Sequence, residues 1–177
     1  QPEIGAEDRQ DPISIANLFR AVQAEATRIA RRKHINFQME LEEDVMVLGI
    51  EDLLIVVLRN LLDNALKFTP SDNTVVLSVE IMSNSVKISV KDTGLGMPDW
   101  VENELNKMRW GVSLPGTDGE KGSGIGLYTS MMFLRRMKTE LIIESEPSQG
   151  TRMSFSLPRF IRNPNISELS EKRERTR

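Results

Sequence analysis

The chain has 177 residues, of which 28% are charged, with a net charge of -3 and no cysteine. This length suits about one domain with its own core, and the lack of cysteine excludes disulfides, thiolate metal sites and cysteine nucleophiles in this chain. The slightly acidic balance and single histidine argue against nucleic acid as a partner and against a histidine-rich metal site. No apolar run approaches a membrane span, so we expect no membrane contact by this stretch and a cytoplasmic location, with a membrane-anchored parent protein left open.

The first third of the chain predicts a helix between a polar end and two short strands. Residues 1–12 are polar, contain two prolines and show no periodicity, which predicts a linker or a chain end. Ser14 is placed to cap a helix whose apolar residues recur at helical spacing. The basic cluster 31–33 at the helix end predicts a favourable interaction with the helix dipole, with anion binding as the alternative. An alternating strand over 35–41 and a short apolar piece over 45–48 follow.

A second helix is predicted over 53–69, where apolar residues cover almost the whole circumference and require burial on most sides. The polar exceptions Asn60, Asn64 and Lys67 fall at i, i+4 and i+7, on a single stripe. Asparagine is a poor residue inside a helix because its amide competes for backbone hydrogen bonds, so a polar ligand is expected against the stripe. The alternative is a solvated face, which would more naturally carry Lys and Glu.

Two alternating strands over 75–81 and 86–90 predict a hairpin that leads to an acidic residue. Asp92 shares the even-numbered, apolar face of the second strand, and a buried carboxylate is costly unless a strong donor faces it. Asp92 is therefore a candidate binding residue, with an ordinary strand-end aspartate before a turn as the alternative. Gly94 and Gly96 follow at once and free the backbone for close approach to a ligand.

Between residues 97 and 121 the periodicity dissolves, and a segment of this length predicts a lid or binding loop. It ends in GSGIGL, residues 122–127, before a helix that runs to about Lys138. Glycines at a helix N-terminus expose backbone N–H groups to phosphate, although such a loop alone is a weak signal. Two further strands over 141–145 and 153–157 complete the pattern, and residues 161–177 are predicted to be a polar tail or linker.

Four of these stretches together resemble the N, G1, G2 and G3 boxes of sensor histidine kinases, which belong to the GHKL superfamily. They read NLLDNALKF, DTGLG, GTDGEKGSGIGL and SQGTRMSFSLP, in the family's order and spacing. The resemblance covers 13–160 and implies an ATP-binding catalytic domain with a mobile lid at about 97–121. The implied fold class is α/β (α+β), a two-layer sandwich whose mixed sheet of about five strands is covered on one face by three helices. The count of predicted elements agrees with this fold.

The resemblance also implies the roles of individual residues toward ATP and Mg2+. Asn64 would hold Mg2+ through its amide oxygen, with Asn60 beside it, and Lys67 would meet phosphate; Asn60 and Lys67 are the implied catalytic residues. Asp92 would accept a hydrogen bond from the adenine amino group. The other implied nucleotide-binding residues make room for the adenine, shape the lid's end, contact phosphate or lie near the adenine: Gly94, Gly96, Lys121, Gly122, Gly124, Gly126, Leu127 and Thr151.

The implied activity is that of a protein histidine kinase, which transfers the γ-phosphoryl group of Mg-ATP to a histidine. That histidine would lie on a separate helical phosphoacceptor and dimerisation domain, with a response regulator receiver domain as a further partner and a homodimeric parent protein. In hydrolysing members of the superfamily the position of Asn60 usually carries a glutamate that activates water, which an amide cannot do. The alternatives are an ATP hydrolase of this superfamily and a nucleotide-binding module without transfer.

Two features depart from the family's pattern. His34 lacks the acidic residue and later proline that follow a phosphorylated histidine, so we expect it to be structural. The phenylalanine box expected before the lid is not recognisable, and the piece LNKMRWGV offers Met108 and Trp110 instead.

Overall fold

The computed structural model describes residues 9–98, 116–119 and 124–161. Its helices are α1 (Ile15–Lys33), α2 (Glu51–Phe68) and α3 (Gly126–Arg136). Its strands are β1 (Asp11–Ser14), β2 (Asn36–Glu40), β3 (Met46–Gly49), β4 (Thr74–Ile81), β5 (Ser85–Asp92), β6 (Ile142–Glu146) and β7 (Gly150–Pro158). Within these ranges, no helix is long and apolar enough to cross a bilayer.

Five strands form one mixed sheet in the order β2-β4-β5-β7-β6. The β2 and β4 strands are parallel, and every other neighbouring pair in this sheet is antiparallel. The predicted hairpin is β4-β5, and β6-β7 form a second hairpin through the turn at 147–149. The predicted mixed sheet of about five strands is therefore confirmed.

The helices cover one face of this sheet. Apolar residues at alternate positions of β5 and β7, such as Val86, Ile88 and Phe155, are at most 1% exposed. The α2 helix lies in the middle of the helical layer, in contact with α1, α3 and β5. That position explains its all-round apolar composition, because neighbours bury most of its circumference. The two-layer arrangement predicted from the sequence is thus confirmed, with three helices in the described part of the chain.

A separate two-stranded antiparallel sheet joins β1 to β3. Asp11 and Pro12, which fall inside the stretch predicted to be a linker, pair with Gly49 and Leu48. A proline is accepted here because β1 is an edge strand. Residues 1–8 of that stretch and residues 162–177 of the predicted tail lie outside the described residues.

The N-terminus of α1 is capped from two sides. Ser14 Oγ accepts a hydrogen bond from the backbone N–H of Asn17 (3.1 Å), which confirms the predicted cap. Asp44 adds a second acceptor, since its Oδ1 receives the N–H of Ala16 (2.9 Å) and its Oδ2 receives the Ser14 hydroxyl (2.8 Å). Together these oxygens satisfy N–H groups that have no partner within the helix.

We expect Asp44→Ala to lower the free energy of unfolding by about 1 kcal/mol, since it removes one cap acceptor and the partner of the other. In a domain of this size that loss lowers the melting temperature by about 2–4 °C, measurable by calorimetry. Glu43→Ala, at an exposed neighbouring acid, is the matched control and should leave the melting temperature unchanged. Equal melting temperatures for the two variants would contradict a capping role for Asp44.

Candidate functional site

Asp92 ends β5 as a buried carboxylate, only 4% exposed. Its Oδ1 accepts the backbone N–H groups of Gly94 (2.8 Å) and Thr151 (3.2 Å). Burial raises the pKa of the Asp92 carboxyl above its ordinary value, and these two N–H donors offset part of that rise. Both of these hydrogen bonds from described residues go to Oδ1, so Oδ2 can accept a hydrogen bond from a ligand. The alternation of side chains along β5 correctly predicted that Asp92 shares the buried face of the strand.

Thr151 holds Asp92 from the neighbouring strand β7. Besides the backbone hydrogen bond, its Oγ1 lies 2.8 Å from Oγ of Ser145 on β6. Thr151 is itself only 6% exposed. Thr151, which the resemblance placed near the adenine, thus lies beside Asp92, and Ser145 joins this pair without any signal in the sequence.

The turn after β5 packs against the end of α2. Leu95 N–H donates to the backbone oxygen of Phe68 (3.1 Å). A Cβ at Gly94 would collide with that same Phe68 oxygen and approach Oδ1 of Asp92 to 2.9 Å. Gly96 has φ of +67°, and a Cβ there would collide with the backbone of Glu146. Both glycines are therefore required by the chain's own packing, whatever room they also leave for a ligand.

Asn60 connects α2 to the start of α3. Its Nδ2 donates to the backbone oxygen of Gly126 (2.9 Å) and to Oγ of Ser130 (3.2 Å). A Cβ at Gly126 would lie 3.3 Å from both Cγ and Oδ1 of Asn60, which is tighter than ordinary contact. The amide of Asn60 thus has a structural partner that the sequence did not predict, and Ser130, fully buried, belongs to the same group.

Asn64 and Lys67 occupy the next two turns of the same helix. The side chain of Asn64 is half-buried and makes no hydrogen bond to other described residues. Lys67 is also half-buried, and its Nζ lies 4.8 Å from the centre of the Phe68 ring. The oxygen of a neutral, half-buried amide suits a hard cation such as Mg2+, particularly one that phosphate oxygens also hold. The side chains therefore fit the implied metal and phosphate groups.

The α2 helix brings the predicted residues together. Asp92 and its turn lie at the C-terminal end of α2, beside Phe68, while Asn60 meets α3 further toward the N-terminus. Lys67 and Asn64 lie between these two ends. The Asp92 turn therefore lies against the C-terminal end of the helix that carries Asn60, Asn64 and Lys67.

Part of the predicted site lies outside the described residues. Lys121, Gly122, Met108, Trp110 and most of the predicted lid are not among the described residues. Gly124 and Leu127 are described: Gly124 lies two residues before α3, and Leu127 lies in its first turn.

His34, the chain's sole histidine, is the C-cap of α1. It adopts the left-handed conformation (φ 55°, ψ 39°), and its N–H returns to the carbonyls of Ala30 and Arg31. Left-handed geometry at a helix end is the usual reason for a glycine or asparagine there. The backbone of His34 therefore acts as the C-cap of α1, and this contact does not involve the imidazole ring.

We expect His34→Gly to raise the free energy of unfolding by up to about 1 kcal/mol, because glycine adopts the left-handed region without a steric cost. His34→Ala should lower it relative to the glycine variant. Chemical denaturation measures both. Nucleotide binding should stay unchanged in both variants, and a loss of binding in the glycine variant would contradict the structural assignment.

The structure is that of a two-layer α/β domain whose candidate binding residues lie on the middle helix α2 and at the adjacent end of β5. The sequence model of the family "Histidine kinase-, DNA gyrase B-, and HSP90-like ATPase" matches residues 49–161. The chain belongs to this family, as an ATP-binding catalytic domain of the sensor histidine kinase type.

Its curated relatives include two sensor proteins that are longer than this chain. The adaptive-response sensory kinase SasA of Microcystis aeruginosa is 29% identical over 151 residues, which are 84% of this chain and 39% of SasA. The sensor protein CreC of Escherichia coli is 33% identical over 157 residues, which are 86% of this chain and 32% of CreC. The chain thus spans well under half the length of either relative.

Solved structures agree on the fold. The catalytic domain of histidine kinase ThkA, free of nucleotide, has a TM-score of 0.70 at 20% identity, covering 84% of this chain and 97% of that domain. Full-length ShkA in complex with AMPPNP also has a TM-score of 0.70, at 26% identity, covering 85% of this chain and 31% of ShkA.

Proposed function

We propose that this domain binds Mg-ATP along α2 and transfers the γ-phosphoryl group to a histidine on a separate helical phosphoacceptor domain. A response regulator receiver domain would be the next acceptor, in two-component signalling, and the parent protein would be a homodimer. The observation that carries the proposal is the buried Asp92 carboxylate, held by two backbone N–H groups at the end of the helix that bears Asn64 and Lys67. The relative ShkA was solved with AMPPNP, a nucleotide of the same class.

Each side chain has a defined task in this proposal. Oδ2 of Asp92 accepts a hydrogen bond from the adenine amino group, which orients the base, and Thr151 keeps the carboxylate in place. Lys67 supplies positive charge to the phosphates, and the Asn64 oxygen is placed to hold Mg2+, which when bound neutralises phosphate charge. A histidine nitrogen of the acceptor then forms the bond to the γ-phosphorus, while ADP leaves with the electrons of the broken P–O bond and the imidazole proton goes to solvent.

The position of Asn60 favours transfer over hydrolysis. An amide cannot take a proton from water at neutral pH, and Asn60 Nδ2 already donates to Gly126 and Ser130. Phosphoryl transfer to an aligned acceptor depends mainly on positioning and charge stabilisation, which do not require a base at this point. Slow release of phosphate by the isolated domain is the expected consequence.

The test combines three measurements on the purified domain. Titration calorimetry should detect Mg-ATP binding, a phosphate-release assay should show little turnover, and a matching acceptor domain supplied with radiolabelled ATP should become labelled on histidine. Steady phosphate release without acceptor would instead establish a hydrolase. Binding without any labelled histidine, with several acceptor domains, would establish a nucleotide-binding module without transfer.

A further inference from the structure

We propose that Lys33 is a positioning residue. Through Thr117 it fixes the segment 116–119 on the last turn of α2, and it thereby holds Lys67 in position to contact the phosphate end of the nucleotide. This inference rests on the proposed function, because it assigns Lys33 and Thr117 to the same site. Lys33 lies outside the four motifs, and Thr117 is the second residue of the motif GTDGEKGSGIGL, to which the resemblance assigned no role for a threonine.

Lys33 is buried, with only 4% of its surface exposed, which is unusual for lysine. Its Nζ donates to the backbone oxygens of Leu66 (2.9 Å) and Lys67 (3.1 Å) and to Oγ1 of Thr117 (2.8 Å). The neighbouring Arg31 and Arg32 are exposed. The cluster was expected to interact with its own helix dipole, with anion binding as the alternative. One of its members, Lys33, instead contacts a different helix.

The Leu66 and Lys67 oxygens lie in the last turn of α2, where carbonyls lack a partner within the helix. A buried ammonium with such acceptors is satisfied, and the same contact satisfies the end of the helix. Thr69 Oγ1 adds a hydrogen bond to the Ala65 oxygen (2.6 Å). The backbone that carries Lys67 is thus held by side chains from outside the helix.

Thr117, which lies inside the segment predicted to be the lid, completes the contact. Its backbone N–H donates to the Lys67 oxygen (3.1 Å), and its hydroxyl lies 3.2 Å from that same oxygen. Lys33, Thr117 and the Lys67 carbonyl therefore form one hydrogen-bonded group. Without the Thr117 hydroxyl, the buried ammonium would lose one of its hydrogen bonds, which weakens the link between segment 116–119 and the last turn of α2.

A purely structural role predicts something different from a positioning role. A structural role would change the melting temperature, or weaken all ligands alike. A positioning role at the phosphate end should weaken Mg-ATP and leave adenosine unaffected, because Asp92 and Thr151 at the adenine end do not take part in the group. Comparing the two ligands therefore separates the two roles.

The experiment measures the dissociation constants of Mg-ATP and adenosine by NMR titration, which detects weak and tight binding, together with melting temperatures. The variants are Lys33→Met, which removes the charge, and Thr117→Val, which removes only the hydroxyl. Thr117→Ser keeps the hydroxyl and should restore binding, and Arg32→Met, at an exposed neighbouring cation, is the matched control. We expect Lys33→Met and Thr117→Val to weaken Mg-ATP roughly tenfold. Adenosine binding should change less than about twofold.

The double variant should lose less affinity than the two single losses combined, because both remove the same contact. If Thr117→Val is folded and binds Mg-ATP as tightly as the unmodified domain, the inference is overturned, and this variant decides the matter even if Lys33→Met does not fold. Equal weakening of Mg-ATP and adenosine would overturn it as well, in favour of a structural role. Failure of the unmodified domain to bind Mg-ATP would overturn the proposed function first, and the inference with it.

Discussion

Asp92→Asn should abolish adenine nucleotide binding, weakening it by more than about 100-fold, as Asp92→Ala should. The asparagine oxygen can keep the two backbone hydrogen bonds from Gly94 and Thr151 that Oδ1 accepts now. Its NH2 group then takes the place of Oδ2 and presents a donor to the adenine amino group, which is also a donor. Titration calorimetry with Mg-ATP measures the loss.

The stability of the same variant provides the control. Because burial raises the pKa of Asp92, the charged carboxylate costs stability in the fold. The stabilising contribution of the protonated carboxyl is complete below the ordinary pKa of an aspartate and is lost as the pH rises through the raised pKa. Replacing it with a neutral, isosteric amide should therefore leave the melting temperature unchanged or raise it at neutral pH. A folded Asp92→Asn variant with unchanged ATP affinity would refute Asp92 as the adenine partner.

Asn64→Ala is the second substitution with a large expected effect. It removes the only side-chain oxygen of Asn64 while leaving the adenine end intact, so binding of ATP without metal should persist. The gain in affinity on adding Mg2+ should disappear, and labelling of a supplied acceptor should fall by more than about 100-fold, since metal charge stabilisation is a large part of phosphoryl transfer. Calorimetry with and without Mg2+, paired with the labelling assay, gives both quantities.

Asn64→Asp is the matched variant for this prediction. It keeps an oxygen ligand and adds negative charge, which repels the triphosphate when metal is absent and attracts Mg2+ when it is present. The dependence of ATP affinity on Mg2+ should therefore increase in Asn64→Asp and vanish in Asn64→Ala. Equal Mg2+ dependence in the two variants would mean that Asn64 is not a metal ligand.

Much of the fold follows from local periodicity. The apolar circumference of α2 predicted a helix enclosed by neighbours, and the helix indeed lies between α1, α3 and the sheet. The alternation in β5 predicted that Asp92 would be buried, because successive strand residues point to opposite faces. The helical spacing of α1 also indicated that Lys33 is buried, because Lys33 continues the buried series Val22, Ala26 and Ala30.

The pattern of residues along the chain is therefore enough to predict which face of each main element is buried, and with it the fold class and the row of candidate residues on α2. The partners that those residues meet are visible only in the folded domain: Asn60 with Gly126, Lys33 with the end of α2, and Gly94 with the Phe68 oxygen. Periodicity records burial, a property of one element, because it follows from the repeat of that element alone. A contact between distant residues depends on how whole elements pack, and no local repeat encodes that arrangement.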